Sequence, residues 1–76
     1  MYTAEHTLSA LFMQLGLDSS DTAINEFIHN HHVPQNEPLD TASFWTPAQA
    51  QFIRESWHED ADWAGVIDQL DTLLRS

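Results

Sequence analysis

Three short stretches of the chain hold residue types that could do chemistry. The first is LGLDSSDTA, residues 15–23. A glycine turn followed by an aspartate and serines opening an acidic helix puts a hydroxyl where the helix dipole favours a phosphodiester. Ser19 or Ser20 would then carry a covalent phosphopantetheine arm. The second is HNHH, residues 29–32. On a continuous helix His29 and His32 lie three apart on one face, a spacing that suits zinc, copper or nickel, with His6, His58 or a nearby acid completing the set. The chain's five histidines also make it a candidate pH sensor, since protonating them relieves much of its negative charge. The third stretch, HEDAD at residues 58–62, gathers carboxylates but lacks the glycine and the alternating oxygen ligands of a calcium loop.

Each stretch also has a plainer reading. Asp18, Ser19 and Ser20 are all good helix N-caps. An acyl-carrier-like protein would have an apolar residue directly after the modified serine, where Ser20 stands, and more than one short helix before it. Imidazoles near a helix C-terminus are favoured by the dipole with no metal present. Nothing resembles a nucleophile elbow, a phosphate-binding loop or a metalloprotease helix. The expectation is therefore no enzyme, no catalytic residue and no cofactor, with His29 and His32 the weak metal candidates. The acyl-carrier-like reading on Ser19 or Ser20 and the metal- or pH-responsive reading on His29 and His32 stand as the alternatives.

Charge narrows the class of partner. Twelve acids face two arginines and no lysine, for a formal charge of −10. Such a surface repels phosphate backbones and anionic lipid, which argues against direct nucleic-acid or membrane binding. It suits either solubility or attraction to a basic protein surface. There is no cysteine, so no disulfide, thiolate nucleophile or zinc-thiolate site exists, and a cytoplasmic location fits. The opening MYTAEHTLSA has no basic cluster and no long apolar run, so no signal peptide or anchor is expected.

Helices must position these residues. The 76 residues make one small domain, 1–76, near the size where a single core is marginal without a staple or partner. Leu8, Leu11, Phe12 and Leu15 follow the helical i, i+3, i+4, i+7 rule, and Gly16 sits where a left-handed cap belongs, predicting a helix over about 7–15. A second helix follows Asp18–Ser20 with Ile24, Phe27 and Ile28 inward. It fades near His31 because Pro34 disfavours helix at Val33. Residues 32–43 form a connector with two prolines, though Leu39 should enter the core. Thr46-Pro47-Ala48-Gln49 then combines an N-cap, a first-position proline and a capping box, with Trp45 at the staple position before it. This third helix reaches about His58 with Phe52, Ile53 and Trp57 inward. Glu59, Asp60 and Asp62 cap and charge a fourth, whose stripe is Trp63, Val66, Ile67, Leu70, Leu73 and Leu74. Gly65 interrupts it; close approach of another helix would explain that, and chance would too. The fold class is all-α: a compact bundle of about four short helices arranged as two helical hairpins.

Three tryptophans supply much of the burial such a small core needs. Trp57 and Trp63 read as core, Trp45 as the one partly exposed and so the interface anchor. The expected function is protein–protein interaction or regulation. Trp45 would supply the apolar anchor, and Glu59, Asp60 and Asp62 would steer a basic partner protein, a second copy being the other candidate.

HTLSALFMQLGL at the start, FWTPAQAQFIRE in the middle and DADWAGVIDQLDTLL at the end resemble the bacterial family called domain of unknown function 2789, in order and spacing. The resemblance covers nearly the whole chain and implies a compact helical domain of the bacterial cytoplasm. It implies no activity and no catalytic residue.

Overall fold

A computed structural model describes residues 7–75, and they form four α-helices with no strand among them. The helices are α1 (Leu8–Gln14), α2 (Asp21–Asn30), α3 (Pro47–Glu59) and α4 (Ala61–Leu74), with one 3₁₀ turn at Leu39–Thr41. They succeed one another as the expected pairs, α1 with α2 and α3 with α4. The centre of the bundle is α4, which touches each of the other three helices.

Local chemistry sets the helix ends. Thr7 caps α1 by accepting the Ala10 N–H at 3.1 Å. Gly16, with φ +74°, closes that helix in the left-handed conformation. The Leu17 N–H reaches the Phe12 carbonyl at 2.9 Å and the Gly16 N–H reaches Met13 at 3.1 Å, the bond pair of a Schellman motif. Of the three candidate caps for α2, Ser20 takes the position and accepts the Ala23 N–H at 3.2 Å. The α3 capping box is complete: Thr46 accepts from Gln49 N–H at 3.2 Å, and the Gln49 side chain accepts from Thr46 N–H at 3.0 Å. The same Gln49 amide donates to the Leu15 carbonyl at 2.8 Å, so one side chain caps α3 and ties it to the end of α1. Asp60 alone separates α3 from α4; its backbone N–H closes one helix and its carboxylate caps the other.

The core is apolar throughout. Leu11, Phe12, Val33, Leu39, Ile53, Ile67 and Leu70 are almost wholly buried, and no described polar or charged residue is buried with them. No described buried side-chain polar atom lacks a partner. Leu39 enters the core as its place in the connector suggested.

The chain's two cations pin that connector. Arg75 donates to the Pro34 carbonyl at 2.6 Å, the Glu37 carbonyl at 2.7 Å and the Asp71 carboxylate at 2.9 Å. Arg54 meets Asp40, in the 3₁₀ turn, at 2.8 Å. The Val33 N–H adds a bond to the Leu74 carbonyl at 3.0 Å. The segment without sequence periodicity is thus held to the middle of α3 and the end of α4 by residues far from it in sequence.

One expectation fails here. Trp45 is 7% exposed, not an outward anchor. The 3₁₀ turn brings the Leu39 carbonyl within 2.9 Å of its indole N–H, and the ring stacks on Phe27 at 5.6 Å and tilts against Phe44 at 4.9 Å. Gly65 faces open space: a Cβ there would have no neighbour within 4 Å, which removes close helix approach from its two readings.

Candidate functional site

The Ser20 hydroxyl is occupied by local structure, and Ser19 is held through its backbone carbonyl. Ser20 Oγ is the α2 cap, Asp18 Oδ1 accepts the Ser20 N–H at 3.0 Å, and the Ser19 carbonyl accepts from Ser9 Oγ at 3.0 Å. The stretch that could have carried an arm is a turn-and-cap unit joining α1 to α2.

The histidines do not form the helical pair their spacing suggested. Helix α2 ends at Asn30, and His31 is already extended at φ −129°, ψ 141°, so His29 and His32 do not share a helical face. Both are exposed. His31 is the histidine that the fold uses: its Nδ1 lies 2.8 Å from the Phe27 carbonyl and its ring stacks on Phe27 at 4.0 Å. That contact implies Nδ1–H as donor, since a carbonyl can only accept. Among the described residues no group of three or more His, Asp or Glu could hold a metal ion; His6, named as a further ligand, lies outside them.

Trp45 and the acid cluster are not one site either. Trp45 precedes the cap of α3, whereas Glu59 ends that 13-residue helix. At 1.5 Å per residue the two lie about 20 Å apart. What stands beside the acids is a different aromatic pair. Phe52 and Trp63 meet edge to face at 6.1 Å, both half-buried. Phe52, Ser56 and Glu59 share one face of α3 by their i, i+4, i+7 spacing. Trp63 is tied to the interhelix turn by its backbone N–H, which donates to the Asp60 carbonyl at 3.1 Å. Glu59, Asp60 and Asp62 are all exposed around this corner. Sequence reasoning assigned Trp63 to the core because its stripe is unbroken; it does pack against the core, but at the first turn of α4 it stays only partly buried.

Among the described residues no arginine pairs with the acids of this corner. Arg54 and Arg75 are the chain's only arginines, and they pair with Asp40 and Asp71. The Trp57 indole takes Asp68 at 2.8 Å, bridging α3 to α4 lower in the bundle. A second, shallower feature is a recess of about 360 Å³ between the α1–α2 turn and α2, lined by Phe12, Leu17 and Phe27 with Asp18 and Glu26 at its edge. Among the described residues no helix is long and apolar enough to cross a membrane.

With this geometry in place, the comparisons assign the family. Residues 1–74 match the model described as "Protein of unknown function (DUF2789)", and the chain belongs to that family. Among solved structures it is similar to the solution NMR structure of protein CV0237 from Chromobacterium violaceum. The two are 47% identical, the match covers 99% of this chain and 95% of that one, and the TM-score is 0.81. No curated protein matches the chain.

Proposed function

We propose that this is a small, non-enzymatic recognition domain of the cytoplasm that docks a cationic surface of a partner protein. The half-buried Phe52–Trp63 pair supplies the apolar contact, and Glu59, Asp60 and Asp62 supply attraction and orientation. One observation carries the reading: the only two cations of a −10 chain are both committed to holding its connector. The acids around the α3–α4 turn are therefore left for a partner. Only Asp60 among them has a cap to make, and a cap uses one carboxylate oxygen. A second copy is the poorer partner, because two surfaces of the same strong charge repel.

The test is neutralisation without truncation. Glu59→Gln with Asp62→Asn keeps side-chain shape and costs only the few tenths of a kcal/mol that Asp62 gains from the α4 dipole. The immobilised wild type should retain a basic protein from host extract at 50 mM salt and lose it at 300 mM. The double variant should retain at least about tenfold less. Equal retention by both proteins at both salts would sink the proposal.

A further inference from the structure

The recess between α1 and α2 is built by the Schellman motif. Gly16 at φ +74° turns the chain so that Leu17 folds back beside Phe12, the residue whose carbonyl it bonds. Such a motif usually pairs these two positions in an apolar contact. Ala23 and Phe27 form the facing wall on α2, the small Ala23 leaving the space open. The result is an apolar floor whose edge carries Asp18 on the turn and Glu26 on the helix, both exposed. Asp18 commits Oδ1 to the Ser20 N–H, which leaves its other oxygen outward. Among the described residues neither carboxylate has an ion-pair partner, both arginines being held elsewhere.

Size and charge together select the occupant. At about 360 Å³ the recess lies at the small end of ligand pockets, roughly 300–1,000 Å³, and takes a single long side chain more readily than a cofactor. An anion is excluded by the rim and by the overall charge. A purely apolar group would leave two carboxylates at its edge without a counter-charge. A group with an alkyl stem and a planar cation satisfies both parts: the stem lies along the half-buried Leu17 and Phe27 while the fork reaches Asp18 and Glu26.

We propose that this recess receives an arginine side chain of the partner protein. The proposal rests on the cationic-partner reading above and adds a second point of contact, on the α1–α2 side of the bundle. It makes the site selective for arginine over neutral residues of the same shape.

Backbone amide shifts of the ¹⁵N-labelled full chain test it, titrated with acetyl-Ala-Leu-Arg-Leu-Ala-amide, with the same peptide carrying citrulline for arginine, and with agmatine. The arginine peptide should shift the amides of Leu17, Asp18, Ala23 and Glu26 saturably, and the citrulline peptide should bind at least about tenfold more weakly. Asp18→Asn with Glu26→Gln should weaken the arginine peptide by a similar factor; asparagine keeps the acceptor that Ser20 needs, so the turn survives. Agmatine binding as tightly as the arginine peptide would overturn the assignment to a protein side chain. Peptide shifts confined to Glu59–Trp63 would overturn the recess and leave the recognition reading standing. No saturable shift at either place, or shifts spread evenly over every acid, would overturn both.

Discussion

Arg75→Met asks how much of this fold depends on one side chain. Methionine keeps the stem and removes the guanidinium, which donates to Asp71, Pro34 and Glu37 at 2.9, 2.6 and 2.7 Å. The side chain is only 19% exposed, so water replaces these bonds poorly. A hydrogen bond to a charged group contributes about 1.5–3 kcal/mol, and the partly solvated acceptors put the three together at about 2–4 kcal/mol. A domain of this size has a total stability of about 4–11 kcal/mol. The loss is thus a large fraction of the whole, a fall in Tm of about 10–30 °C. Arg54→Met is the matched control: it removes the same charge but only one contact, from a side chain that is 52% exposed. Its cost should stay below about 1 kcal/mol. Arg75→Lys should recover little, since one ammonium cannot reach three separated acceptors. Urea and thermal unfolding followed by circular dichroism, at one fixed salt concentration, read all three. Equal losses for Arg54→Met and Arg75→Met would refute the reasoning, because general charge rather than the clamp would then be responsible.

Other substitutions separate the remaining parts of the account. Trp45→Ala should cost about 3–5 kcal/mol and leave the domain largely unfolded, with Trp63→Ala milder because its ring is only partly buried; denaturant midpoints decide the order. Gly65→Ala should raise stability by up to about 1 kcal/mol, since the added methyl meets open space in a helix interior. Gly16→Ala, equally uncrowded, should lower it by about 1–2 kcal/mol because φ is +74° there. Thermal melts from low to moderate salt should rise in Tm as the acids are screened; a flat or falling series would contradict the charge argument.

What the sequence made legible is what adjacent residues decide. The α3 capping box, the Gly16 turn and the cap at Asp60 each involve partners within five residues, and each stands where the residue types placed it. What stayed hidden depends on contacts between distant segments. The connector has no period, so nothing signalled that Arg75 would bind it across 38 and 41 residues, or that its 3₁₀ turn would cover Trp45. The histidine pair failed for a local reason that was already visible: Pro34 ends the helix before His32, so the spacing that made His29 and His32 a pair never forms. Trp45 read as the outward tryptophan because periodicity marks a residue's face and not which distant segment covers it.

The central claim is that the acidic α3–α4 corner faces a cationic protein. Ala61 is exposed and lies between Asp60 and Asp62, so a photo-crosslinking amino acid there reports on that corner without removing a charge. The same residue at exposed Gln69 serves as the control position on α4. In the native host cell the account predicts a crosslink from position 61 to a basic protein, absent from position 69 and lost when Glu59→Gln and Asp62→Asn are added. The same product from both positions, or one that survives neutralisation, would contradict it.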